Sequence, residues 1–193
     1  MMRRTLACKC PLGGDSRRTP GRQQPANSRR GVSVAISRLY FFLMSYSIQA
    51  FVALQGTFNA DPSNGLAVIR LDAGVEIIPI GSTTRMLYGI PFLPLTDEGS
   101  EELPAAILKL HSTLGSQRPS AYIEAEFFGG SGAQAHVLIS KNGTGAGVNI
   151  SDNAINDALA WLGVRPRDGR DQFNTVGLGK HRETDGWLAS YDQ

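Results

Sequence analysis

Cysteine is almost missing from this chain: the 193 residues hold two, Cys8 and Cys10. Two thiols build neither a disulfide framework nor a four-thiolate zinc cage. Residues 44–193 have none, which suits a reducing, cytoplasmic setting. Histidine is nearly as scarce, with only His111, His136 and His181, and no two stand one helical turn apart as metal ligands would. No apolar run approaches the roughly 18 residues of a membrane helix, so no membrane partner is expected. Walker, G-x-S-x-G and H-E-x-x-H signatures are absent as well, and neither a metal nor a cofactor is expected.

Acid is what the first 43 residues lack. They carry nine basic side chains against Asp15 alone, a net charge of +8, which leaves residues 44–193 at −6. Up to Arg30 no helical or strand period is visible, and Arg, Ser, Gln, Pro and Gly dominate. Such a stretch buries too little apolar surface to offset the entropy of ordering, so residues 1–43 are expected to be a disordered basic leader. Several readings stay open for it: an organellar transit peptide, a phosphate-contacting arm, or sequence upstream of a true start at Met44. Arg3-Arg4 before Leu6-Ala7-Cys8 resembles a secretion or lipoprotein signal, but no apolar core separates the parts.

From Tyr46 onward the chain reads as a single α+β domain, residues 44–193. Ile48, Ala50, Val52 and Leu54 alternate as in a strand with at least one buried face. Asp61-Pro62-Ser63-Asn64-Gly65 is turn chemistry, and Leu66–Leu71 and Val75–Ile80 are short strand-like runs. Gly81–Leu95, with two prolines, reads as irregular with one edge strand. A helix is expected over Glu101–Leu114, capped by Ser100 and ended by Gly115, and another over Asn153–Leu162, ended by Gly163. Between them Ala121–Phe128, Ala133–Lys141 and Thr144–Ile150 read as three antiparallel strands, with a hairpin at Asn142-Gly143.

The register of these strands decides what shares a face. The second hairpin pairs Val137 with Val148, Ile139 with Ala146 and Ala135 with Ile150. For the first, a four-residue loop sets Glu124 opposite Val137, whereas a five-residue loop pairs Ile123 with Val137 and leaves one face wholly apolar. The second choice is the consistent one. It predicts both helices packed on that apolar face in a two-layer sandwich. It also aligns two outward rows, Glu124–His136–Asn149 and Glu126–Gln134–Ser151, with Tyr122 beside them.

A carboxylate beside an imidazole is acid–base chemistry, so Glu124, His136 and Asn149 are the candidate catalytic residues. The plain structural alternative is a cross-strand polar pair worth at most ~1 kcal/mol. Gly130-Ser131-Gly132-Ala133-Gln134-Ala135 fits G-x-G-x-x-A, but β-branched sequence follows where a dinucleotide fold needs a helix. Lys180, His181 and Arg182 could hold an anionic partner or form a solvated charge run. Trp161 is expected to pack, and Trp187 to be either a core anchor or a contact.

Tyr122–Ala135, Ile155–Leu159, Leu162-Gly163-Val164, Gly177–Arg182 and Trp187 together resemble small uncharacterised bacterial proteins of an immunity-protein-like kind. That resemblance covers about Tyr122–Leu188 and implies a cytoplasmic partner-binding protein, with no catalytic residue. The leading expectation is thus a non-catalytic binding module whose acidic body meets a basic protein. Its contacts would come from Tyr122, Glu124, Glu126, Gln134, His136, Asn149, Lys180, His181, Arg182 and Trp187. The alternative is a small hydrolase or transferase using Glu124 and His136. Nucleic-acid attachment through the leader is disfavoured by the acidic body.

Overall fold

A computed structural model describes residues 45–59, 66–116, 118–140 and 143–191. The expected basic leader, the start at Met44, the turn at 61–65 and Asn142 lie outside the described residues. Six strands form one antiparallel sheet: β1 (Tyr46–Leu54), β2 (Ile69–Arg70), β3 (Val75–Pro79), β4 (Ser120–Phe128), β5 (Ser131–Ser140) and β6 (Gly143–Ile150). Their order is β2-β3-β1-β4-β5-β6. Helices α1 (Ser82–Tyr88), α2 (Ala105–Thr113), α3 (Ala154–Trp161), α4 (Gln172–Val176) and α5 (Thr184–Tyr191) complete an α+β fold. Among the described residues no helix is long and apolar enough to cross a membrane.

The α+β class and the antiparallel sheet agree with the sequence, but the two expected helices lie on opposite faces. Ile48, Ala50, Val52, Ile123 and Ala125 pack with Ile155, Ala158 and Leu159 of α3 and with Trp187 of α5. Phe51, Ala53, Tyr122, Val137 and Ile139 point the other way, onto Ile107 and Leu110 of α2. A strand buried on both faces is apolar at successive positions, as Ala50–Ala53 are, because each buried aliphatic chain adds ~1.5–3 kcal/mol.

The register of β4 on β5 follows from this double burial. Gly129 and Gly130, both at positive φ (58° and 88°), close a two-residue turn between Phe128 and Ser131. Ile123 therefore faces His136, and Glu124 faces Ala135. The four- and five-residue loops expected from the sequence are both replaced by this tighter one. The second hairpin begins as expected, with Ala135 on Ile150 and Val137 on Val148. A bulge then sets Ile139 against Thr144 instead of Ala146.

The segment expected to be irregular contains α1. Its first turn has no cap from its own residues; Asp185 of α5 accepts from Ser82 N–H at 2.9 Å. A Cβ at Gly81 would collide with that carboxylate, so α1 depends on a residue about a hundred positions away. Helix α2 starts at Ala105, behind Pro104 rather than Ser100.

Candidate functional site

A groove of about 470 Å³ opens at the end of the sheet where β1 and β5 begin and β4 ends. Tyr46, Phe127 and Phe173 supply aromatic surface, with Gln134, Asp152, Asn156, Asp171 and Arg182 around them. Several of these side chains hold the walls. Gln134 fastens the start of α3, its Oε1 accepting from Ile155 N–H at 2.9 Å and its Nε2 donating to Asp152 O. Asn156 Oδ1 accepts from Phe173 N–H at 2.8 Å, and Asp171 caps α4 by accepting from Asn174 N–H at 2.8 Å. The Tyr46 ring meets Phe173 edge-on at 5.5 Å. Its hydroxyl donates to Leu178 O at 3.3 Å, and burial pushes its pKa up, so it stays a neutral donor.

Other groups are left for a ligand. Arg182 is pinned through its carbonyl, which accepts from Ser47 N–H at 2.8 Å. Its exposed guanidinium makes no hydrogen bond or ion pair among the described residues. The exposed Asp152 carboxylate is likewise uncommitted among them.

Of the candidates read from sequence, only Gln134 and Arg182 meet here. Glu124 and His136 are separated by the sheet, so the expected acid–base row does not form. Glu124 is buried on the α2 face, where Oε1 accepts from Thr96 N–H at 2.6 Å and Oε2 from the Tyr122 hydroxyl at 2.7 Å. Tyr122 accepts in turn from Gln49 Nε2 at 2.8 Å. Burial pushes the Glu124 carboxyl up, against the pull of those hydrogen bonds. Tyr122 and Glu124 thus belong to the core and not to an outer contact surface. Asn149 does stand opposite His136, and is exposed.

His136 lies under α3, its Nδ1 donating to Ala154 O at 2.6 Å. Burial lowers its pKa, partly offset by the Ala154 carbonyl and the Asp157 charge. The neutral imidazole is therefore the folded form. The stability it supports is present above the ordinary value of about 6.5 and is lost as pH falls through the lower folded value. Urea midpoints should drop on acidification, and His136→Asn should flatten that drop; an unchanged slope would assign the acid sensitivity elsewhere.

The second expected row is also redistributed, with Gln134 opposite Ala125 and Glu126 opposite Ala133. Glu126 is half-buried, its carboxyl pushed up by burial and by Asp97. Lys180 pairs with Asp72 at 2.9 Å, and His181 packs on the Trp187 ring at 4.5 Å. Trp187 is 3% exposed and is a core residue, whereas Trp161, expected to pack, is 43% exposed because the apolar stripe of α3 turns it outward. Among the described residues no cluster of His, Cys, Asp or Glu could hold a metal.

The sequence reading missed Tyr46, Phe127, Asn156, Asp171 and Phe173. Asp171, three residues before Asn174, is a helix-start pattern that could have been found; the convergence of the rings has no local signal. No family model, curated protein or solved structure matches this chain.

Proposed function

We propose that this protein is a non-catalytic, cytoplasmic protein-binding module of an immunity-like kind, and that the groove anchors its partner. The groove's composition carries the reading. Aromatic surface beside an uncommitted arginine is the chemistry enriched where partners anchor. A basic side chain of the partner would lay its stem on Phe127 and Phe173 and its charge against Asp152, while Arg182 donates to a main-chain carbonyl. The net charge of −6 on residues 44–193 favours such a basic partner and speeds encounter.

The test is capture with the full chain, followed by titration of the purified partner against variants. Asp152→Lys should weaken binding by about tenfold or more, and Arg182→Ala several-fold, with melting temperatures unchanged. Arg165→Ala, outside the groove, serves as the control. Groove variants that bind like the parent protein would dismiss this site.

A further inference from the structure

The end of the sheet at β6 offers a second surface, away from the aromatic groove. Among the described residues β6 has β5 on one side and no strand on the other. Its eight residues, Gly143–Ile150, contain no charge and no proline. Lysines, prolines or a covering segment normally block such an edge. Ser151 N–H donates to Gln134 O at 3.3 Å. Hydrogen-bonding direction alternates along an antiparallel strand, so Asn149 is turned toward β5 and the amides and carbonyls of Val148 and Ile150 point outward. The bulge between Val137 and Ile139 disturbs the ladder toward Gly143, leaving Gly147–Ile150 as the regular part of the edge. A shallow trough of about 540 Å³ runs beside it, lined by His136, Leu138 and residues 147–150.

Acid flanks this edge on its α2 face. On the α2 side Glu101 and Glu102 line a groove of about 270 Å³ with Leu108, Gly147 and Val148. Among the described residues no lysine or arginine lines either groove.

We infer that β6 is a docking edge for an extended, basic segment of a partner protein, which adds as a seventh strand. Backbone hydrogen bonds to Val148 and Ile150 supply the pairing. Lysine or arginine at alternate positions of the segment reaches Glu101 and Glu102, because side chains of a strand alternate between the two faces. Charge complementarity selects this occupant: the β6 edge of a second copy would bring its own glutamates to the same groove. The inference deepens the protein-binding reading and rests on it, at a different surface.

The full chain is tested with three acetylated octapeptides: alternating lysine and threonine, its glutamate twin, and a lysine version N-methylated at every second amide. The lysine peptide should slow hydrogen exchange at Val148 and Ile150 by about tenfold or more. Its binding should weaken with salt and fall about tenfold in the Glu101→Gln/Glu102→Gln variant. Ile150→Pro, which deletes an outward amide while sparing the β5 ladder, should abolish it. Equal binding of the glutamate or N-methylated peptide would overturn the inference, and that peptide result stands even if Ile150→Pro misfolds. Protection of these amides that grows with concentration of the chain alone would overturn it in favour of self-pairing. Protection confined to Tyr46 and Phe173 would overturn edge docking yet leave the binding-module reading in place. That reading fails separately, if Asp152→Lys keeps its partner.

Discussion

Glu76→Ala should lower the stability of this protein by about 3–5 kcal/mol, the loss expected when buried amides are stripped of a charged acceptor. Glu76 lies in β3 opposite Ala53 and is only 3% exposed. Its Oε1 accepts from Thr57 N–H at 2.8 Å and Phe58 N–H at 2.9 Å, and its Oε2 from Gly56 N–H at 3.0 Å. Gly56 is exposed, so water can replace the carboxylate there. Thr57 and Phe58 are buried, and their amides would be orphaned. The loop after β1 would detach and take Phe58 out of the α2-side core. Urea denaturation measures the loss, and exchange at residues 56–58 locates it. A decrease below ~1 kcal/mol would mean that the carboxylate is not holding this loop.

Tyr122→Phe should cost about 1–3 kcal/mol near neutral pH, with a pH dependence of its own. The hydroxyl donates to Glu124 and accepts from Gln49, so its removal takes a partner from each. Glu124 already sits above the ordinary carboxylate range because it is buried, and the Tyr122 hydrogen bond pulls it down. Without that bond it rises further. A carboxyl whose folded pKa exceeds its unfolded value favours folding when protonated, and that contribution disappears as pH rises through the folded value. The damage should therefore be greatest at neutral pH and shrink in acid. Urea curves of both proteins at about pH 7.5 and about pH 5 give the comparison. A difference no smaller in acid would show that the hydroxyl matters through packing alone.

The expected acid–base row illustrates how a chemical motif in the sequence becomes structural in the fold. Glu124 and His136 carry the types that acid–base chemistry needs, one strand position out of alignment. One residue of register sends a side chain through the sheet. The Gly129-Gly130 turn makes that choice, and it places the carboxylate under α2 and the imidazole under α3. Asp185 is a parallel case: it follows the Lys180–Arg182 charge run by three residues with no local sign of a role, yet it caps α1 across the molecule.

The chain's local pattern was sufficient for the α+β class, the three consecutive strands β4, β5 and β6 to within a few residues, the helix before Leu162 and the division into a basic and an acidic part. Those features depend on period, caps and turn residues, all readable within a dozen positions. Tertiary structure alone decided the first hairpin's register, the partition of helices between two faces and the meeting of Tyr46, Phe127, Phe173 and Arg182 in one groove. The physical reason is that alternation discriminates between registers only when one face is wet. Here α2 and α3 dry both faces, so Tyr122 and Ile123 are equally acceptable inward, and contacts distant in sequence make the choice.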